Sequence, residues 1–138
     1  MVLGALEAGG TKMVCAVGNE QGQILERISI PTVSPKETMP QMIAFFKKYD
    51  LDALGIGCFG PINPVEGTAT YGHITTTPKL AWQNYNIVAA FEEALGSPAS
   101  NAPSTILTSL NQKTASEWEG TPTSRPFFTN HLLSVRRN

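Results

Sequence analysis

Two short apolar runs open the chain, residues 1–6 and 12–17, with the turn sequence Ala-Gly-Gly-Thr at residues 8–11 between them. This pattern predicts a β-hairpin, because each run has the length of a strand and glycine adopts the backbone angles that tight turns need. A second turn at residues 19–22 leads into a third strand over residues 23–30. Three consecutive strands joined by hairpins are therefore expected to open the fold.

A helix is expected after the third strand. Thr38 with Gln41 has the spacing of a capping box, and this choice places Pro40 in the first turn, where its missing N–H is tolerated. Ser34 with Glu37 has the same spacing but would leave Pro40 inside the helix. We therefore prefer Thr38 as the N-cap. An apolar stripe at helical spacing follows: Met39, Met42, Ile43, Phe46 and Tyr49.

A fourth strand and a second helix come next. The apolar run of residues 53–58 predicts the strand, and a loop rich in Gly, Pro and Thr extends from it to about residue 85. Asn86 as N-cap and Gly96 as C-terminal stop define the second helix. The order strand–strand–strand–helix–strand–helix indicates a mixed α/β fold, in which a further parallel strand should follow.

The chain changes character after Gly96. Residues 97–138 contain four prolines and scattered apolar clumps without a sustained period of 2 or 3.6. We therefore predict that residues 1–96 form the folded unit, that the fifth strand is missing and that residues 97–138 are an irregular tail. The open edge of the fourth strand would then favour aggregation. A shifted reading frame beyond residue 96 is our hypothesis for the abrupt change.

Composition excludes several classes of protein. The formal net charge is −1 and no basic stripe is present, which argues against a nucleic-acid partner. No apolar run approaches the ~20 residues of a membrane span, and no secretory leader is visible. Cys15 and Cys58 lie far apart in apolar runs, so each is interpreted as a small buried side chain. A reduced, cytoplasmic protein is expected.

The first candidate binding segment is the turn of the first hairpin, residues 7–12. Gly9 and Gly10 let the backbone approach a ligand closely, and successive N–H groups at such a turn can form a nest for phosphate oxygens. Thr11 adds a hydroxyl donor and Lys12 a point charge. An ordinary hairpin turn explains the same glycines, so both interpretations stay open. A dinucleotide-binding turn is disfavoured, because that motif needs a helix after the glycines.

Two further segments carry polar and glycine-rich loops. Residues 55–61, Gly-Ile-Gly-Cys-Phe-Gly-Pro, stand where the fourth strand ends, and open α/β sheets bind ligands at such ends, although a plain exit from the strand looks the same. Residues 71–82 combine hydroxyls, a cation and aromatic rings suited to a sugar. The alternative is a surface loop held by a buried Trp82. His73 has no second metal ligand nearby and is interpreted as a solvated loop histidine.

Taken together and in this order, the three segments resemble the ROK family of bacterial sugar kinases, and more narrowly its fructokinase branch. The resemblance covers about residues 1–96, and the segment of residues 71–82 is the most specific for that branch. Glu7 stands where many members have Asp and keeps the carboxylate. The resemblance implies one lobe of an actin-like, ribonuclease-H-like ATPase fold that, with Mg²⁺, transfers the γ-phosphoryl of ATP to the 6-hydroxyl of fructose.

The resemblance also implies roles for individual residues. The residues that would face the nucleotide are Glu7, Gly9, Gly10, Thr11 and Lys12. Those that would face the sugar are Gly57, Phe59, Gly60, Pro61, Thr77, Pro78 and Lys79. Members of the family are often dimeric, so a homodimer is implied as well.

Other parts of the family pattern have no counterpart in this sequence. The catalytic carboxylate should follow residue 96 in an Asp-x-Asn segment, but the two aspartates, Asp50 and Asp52, lie in a junction between helix and strand, where a turn role suffices. No catalytic residue is therefore assigned. Cys15 and Cys58 cannot replace the zinc cluster of the second lobe, since a structural zinc needs about four ligands. We expect a chain that is inactive alone; the alternative is a non-catalytic fragment that binds a nucleotide or a partner.

Overall fold

A computed structural model describes residues 1–63, 65, 67–96 and 105–108. Its five strands form one sheet in the order β3-β2-β1-β4-β5. The strands are β1 (Val2–Ala8), β2 (Lys12–Asn19), β3 (Ile24–Pro31), β4 (Ala53–Cys58) and β5 (Thr105–Thr108). β1, β2 and β3 pair antiparallel, whereas β4 pairs parallel to both β1 and β5. The three opening strands and the fourth strand are confirmed.

Two helices, α1 (Pro35–Phe46) and α2 (Ile87–Leu95), supply apolar side chains to one core. Side chains alternate between the faces of a strand, so Leu6 of β1 and Met13 of β2 reach this core. The rings of Phe46 and Phe91 meet edge-on with their centroids 5.8 Å apart, which joins α1 to α2. Neither helix is long and apolar enough to cross a membrane.

The start of α1 differs from the prediction. The helix begins at Pro35 after Ser34, so Pro40 lies inside it, and the prediction of Thr38 as N-cap is wrong. Thr38 is fully buried, and its hydroxyl accepts a hydrogen bond from the Val33 N–H (3.0 Å) and donates one to the Pro31 carbonyl (3.3 Å). These bonds tie the helix to the end of β3. Thr38 therefore fixes the link between β3 and α1 rather than starting the helix.

The bounds of α2 agree with the prediction. The Asn86 side chain accepts a hydrogen bond from the Ala89 N–H at 2.9 Å, as expected of an N-cap. Gly96 follows the helix with φ of 72°, a left-handed conformation that glycine adopts without strain. Ile87, Val88 and Phe91 are buried.

The prediction of a missing fifth strand is wrong. β5 pairs with β4 in the parallel register Ala53↔Thr105 to Ile56↔Thr108. Four residues are too few to show a period, but Thr and Ile favour strands and the edge of β4 offers free backbone partners. The tail is thus not irregular throughout. Because these four residues pair with the edge of β4, that edge is not open there, and the reason for expecting aggregation does not apply to it. Residues 97–104 and 109–138, where the reading-frame hypothesis applies, lie outside the described residues.

Candidate functional site

The turn after β1 and the loop after β4 lie side by side. β1 and β4 are parallel neighbours, with Glu7 opposite Gly57 and Ala8 opposite Cys58. The Phe59 N–H continues the pairing by donating to the Ala8 carbonyl at 2.8 Å. Parallel strands place their carboxyl ends at the same edge of a sheet, so two of the three predicted segments meet there.

The turn of the first hairpin is held tightly from two sides. The Gly9 N–H donates to the Lys12 carbonyl at 3.0 Å, and a Cβ at Gly9 would lie 2.5 Å from that same oxygen. Thr32 donates from its hydroxyl to the Gly9 carbonyl (2.7 Å) and from its N–H to the Thr11 carbonyl (2.9 Å). Among the described residues, no hydrogen bond uses the N–H groups of Gly10 or Thr11. Two backbone donors are therefore left for a ligand.

Glu7 lies on the other face of the sheet from Leu6, because successive side chains of a strand alternate. Its neighbours in register are Val14 on β2 and Gly57 on β4. A Cβ at Gly57 would have one described neighbour, the Leu6 carbonyl oxygen at 3.8 Å. The half-buried Glu7 carboxylate therefore has open space on its β4 side.

The third segment packs directly on the second. Gly60 is buried, and a Cβ there would lie 3.1 Å from the Thr76 carbonyl oxygen and 3.2 Å from the Thr77 Cβ. Thr75 donates two hydrogen bonds to the Pro61 carbonyl, from its N–H at 2.8 Å and from its hydroxyl at 3.0 Å. The loop after β4 and the loop over residues 74–77 are therefore one packed unit.

A fully buried Trp82 holds this unit to the rest of the lobe. Its indole Nε1 donates to the Val33 carbonyl at 2.7 Å. Its ring meets Phe59 and Tyr85 edge-on, with centroid separations of 6.3 Å and 5.6 Å. The anchoring role foreseen for Trp82 is present, and the packing also brings residues 71–82 beside the other two segments.

Lys79 connects the third segment to the first. Its N–H donates to the hydroxyl of the buried Thr77 at 3.1 Å, and its carbonyl accepts from the Trp82 N–H at 2.8 Å. Its side chain extends to the turn of the first hairpin, where its Cε lies 3.9 Å from the position of a Cβ on Gly10. All three segments therefore meet at one edge of the sheet.

Several expectations about single residues are modified. His73 is half-buried, and its Nδ1 lies 3.1 Å from the Tyr71 carbonyl oxygen, so it is a partly packed loop residue rather than a solvated one. Pro78 is exposed beside the site. Asp52 lies at the opposite edge of the sheet, where its carboxylate accepts from the Val2 N–H at 2.7 Å. That contact ties the junction after α1 to the start of β1, which the expectation of a turn role did not include.

Cys15 is buried as expected, whereas Cys58 is only half-buried. Burial raises the pKa of the Cys15 thiol to about 12. Burial also raises the pKa of Cys58, and this outweighs the N–H groups of Gly60 and Phe59, which lower it. Among the described residues no three His, Cys, Asp or Glu side chains form a metal-binding group.

Sequence reasoning missed Thr32, which holds the hairpin turn. Thr32 directly follows β3, and the register of β3 with β2 places Pro31 opposite Lys12. Only that register brings Thr32 beside Gly9, so no local pattern could have singled it out.

Comparison with known proteins gives a consistent result. A family model described as the ROK family matches residues 3–115, which extends beyond the boundary predicted at residue 96. Curated fructokinases match the N-terminal part: that of Pediococcus pentosaceus is 48% identical over 98 residues, that of Streptococcus mutans 53% over 87 and that of Lactococcus lactis 43% over 95. The matches cover 71%, 62% and 69% of this chain but 34%, 30% and 33% of the relatives. The chain thus spans about a third of the length of the relatives it matches.

Solved structures share the fold. A ROK family glucokinase from Streptomyces griseus, in complex with glucose and AMPPNP, matches with a TM-score of 0.54 at 18% identity. A ROK family protein from Streptococcus pneumoniae, in complex with sucrose, matches with a TM-score of 0.55 at 18% identity. Both matches cover 78% of this chain, and 32% and 34% of the respective structures. The predicted actin-like, ribonuclease-H-like lobe is therefore confirmed.

Proposed function

Because the chain belongs to the ROK family, we propose that it forms the N-terminal lobe of an ATP-dependent fructokinase. The reaction is the transfer of the γ-phosphoryl of ATP to the 6-hydroxyl of fructose, giving ADP and fructose 6-phosphate. The observation that carries this proposal is the meeting of the three segments at one edge of the sheet. Fructose is favoured because the curated relatives at 43–53% identity are fructokinases.

The turn of the first hairpin is the proposed nucleotide side of the site. The N–H groups of Gly10 and Thr11, which no hydrogen bond of the described residues uses, are donors that suit phosphate oxygens, as are the Thr11 hydroxyl and the Lys12 ammonium. Gly9 lets the turn close on itself through its bond to the Lys12 carbonyl. Catalysis of phosphoryl transfer is mostly positioning and charge neutralisation, and these groups supply both.

Glu7 is the residue that fits a Mg²⁺ ion held together with the nucleotide. Mg²⁺ in such sites usually takes one or two carboxylates, with phosphate oxygens and water completing its coordination. The space beside Gly57 leaves the half-buried Glu7 carboxylate accessible. When bound, the ion would neutralise charge on the phosphates.

The proposed sugar side is the packed unit formed by the second and third segments. Gly57, Phe59, Gly60 and Pro61 contribute the first of its loops. Thr77 and Pro78 contribute the second, to which the family resemblance also assigns Lys79. The unit stands next to the hairpin turn, so a sugar held there would have a hydroxyl within reach of the phosphates.

The reaction also needs a carboxylate that accepts the proton of the sugar hydroxyl. Asp52 is engaged with Val2 at the far edge of the sheet, and Asp50 precedes it in the same junction. Glu7 is assigned to the nucleotide. We therefore propose that the 138-residue chain by itself binds nucleotide without phosphoryl transfer, which is the alternative of a non-catalytic fragment.

The proposal is tested by two measurements on the same sample. Titration with ATP should show binding, and an assay coupling ADP formation to a dye, with ATP, Mg²⁺ and fructose, should show no turnover. Turnover would contradict the proposal that the chain lacks a catalytic base. A lack of ATP binding would contradict the proposal that the turn of the first hairpin binds the nucleotide.

Translation of the gene in its other two frames beyond codon 96 tests the reading-frame hypothesis. If neither frame contains an Asp-x-Asn segment, that hypothesis is wrong. We also propose that the protein is cytoplasmic and that it forms a homodimer.

A further inference from the structure

We propose that Lys79 binds the phosphates of the nucleotide rather than the sugar, an inference that rests on the proposed function. Its Cε lies 3.9 Å from the position of a Cβ on Gly10, which is an ordinary van der Waals contact. The ammonium group is one bond further along the side chain. A residue of the third segment thereby adds a positive charge to the turn of the first hairpin.

The backbone of Lys79 is held on both sides. Its N–H donates to the Thr77 hydroxyl at 3.1 Å and its carbonyl accepts from the Trp82 N–H at 2.8 Å. Thr77 and Trp82 are both buried. Only the side chain has to be ordered when a ligand binds, which limits the entropy lost on binding.

The charge of Lys79 has no protein partner among the described residues. The ion pairs found there join the N-terminus to Glu20 and Lys48 to Glu26. Lys79 is exposed and takes part in neither. Its ammonium is therefore available to an anion that enters the turn.

The neighbours of Lys79 favour a phosphate over a sugar. The N–H groups of Gly10 and Thr11 lie in the turn that the side chain reaches, and no described hydrogen bond uses them. Charge-assisted hydrogen bonds to phosphate are stronger than those between neutral groups, and lysine acts on phosphates as a point charge. A neutral sugar hydroxyl gains much less from such a charge.

The test compares Lys79→Gln with a matched control, Lys47→Gln. Lys47 is an exposed lysine at the end of α1 and has no contact with the first turn in the described structure. Titration of the 138-residue chain with ATP should show a Kd raised about tenfold by Lys79→Gln, or ~1.4 kcal/mol. The affinity for inorganic tripolyphosphate should fall by a similar factor, and the affinity for adenosine should not change. Lys47→Gln should leave all three unchanged, and Lys79→Arg should restore part of the ATP affinity.

Each other outcome overturns the inference. A variant that binds ATP like the parent chain shows that Lys79 does not contact the phosphates, while the proposed function stands. Weaker fructose binding with unchanged ATP binding returns Lys79 to the sugar side. Equal weakening for ATP and adenosine points to a general disturbance of the site, which a lowered midpoint of thermal unfolding would confirm. If the parent chain binds no ATP, the proposed nucleotide side fails together with this inference.

Discussion

Two stretches with two glycines each lie side by side in the candidate site: the first turn, residues 9–11, and the second turn, residues 57–60, which comprises the end of β4 and the start of the loop after it. Each contains one glycine that the fold requires. A Cβ on Gly9 would lie 2.5 Å from the Lys12 carbonyl oxygen, and one on Gly60 3.1 Å from that of Thr76. Each also contains one with room around it, Gly10 or Gly57. The difference shows that neighbouring backbone decides which glycines shape a site and which leave space for a ligand.

The two turns also differ in what covers them. The first turn is partly exposed and keeps two N–H donors that no described residue uses. The second turn is covered by residues 74–77, and the ring of its Phe59 packs on the buried Trp82. Substitutions at Gly9 and Gly60 should therefore act mainly on folding, whereas a substitution at Gly10 should act mainly on nucleotide binding.

The largest effect is expected for Trp82→Ala, which removes the anchor of the second turn. Trp82 is fully buried, contacts Phe59 and donates to the Val33 carbonyl. Loss of a buried Trp leaves a cavity and an unpaired carbonyl, so the free energy of unfolding should fall by about 4 kcal/mol. Urea unfolding measures it. A loss below about 1 kcal/mol would mean that the second turn does not depend on this side chain.

A slightly smaller loss is expected for Gly9→Ala. The added methyl would collide with the Lys12 carbonyl, a backbone atom that can move only by opening the hairpin. Overpacking of this kind destabilises by about 3 kcal/mol. The measurement is urea unfolding, with Gly10→Ala as the matched control. An equal loss of unfolding free energy in the two variants would mean that Gly9 is no more constrained than Gly10.

Gly60→Ala should have an intermediate effect. The new methyl would lie 3.1 Å from the Thr76 carbonyl oxygen and 3.2 Å from the Thr77 Cβ, so the covering loop must shift slightly. We expect the free energy of unfolding to fall by about 1 kcal/mol. Gly57→Ala is the control, since its Cβ would have one described neighbour, at 3.8 Å. A larger loss at Gly57 than at Gly60 would contradict the assignment of the two glycines.

The smallest effect on stability is expected for Gly10→Ala, less than about 0.5 kcal/mol. The methyl would make an ordinary contact with the Lys79 side chain, 3.9 Å away. It would also stand beside the N–H groups proposed to bind phosphate, so ATP affinity should fall several-fold. Unfolding and ATP titration on one sample test both parts. Unchanged ATP affinity would show that the turn does not approach the phosphates closely.

The helices show why some predictions from sequence succeed and others fail. The bounds of α2 follow from Asn86 and Gly96, whose effects are confined to one turn of helix, so the sequence pattern was sufficient. The start of α1 was misassigned because the Thr38 hydroxyl bonds to Val33 and Pro31 instead of capping the helix. The spacing rule cannot distinguish these partners, because it does not contain the path of the chain between β3 and the helix.

The strands show the same division. The alternation of turns and apolar runs was sufficient to predict the first four strands. β5 was missed because its four residues carry no period and because the edge of β4 provides its backbone partners. Thr32 was missed for the related reason that the register of β3 on β2 brings it to the first turn.

The sequence by itself determined the order of the first six elements and indicated the three segments that lie together at one edge of the sheet. These follow from local properties: turn chemistry, apolar period and the rule that ligand loops follow strand ends. Only the tertiary structure decided that Gly9 and Gly60 are required where Gly10 and Gly57 have room, and that Lys79 reaches the first turn. Those facts depend on distances between residues far apart in the chain, which no local pattern contains.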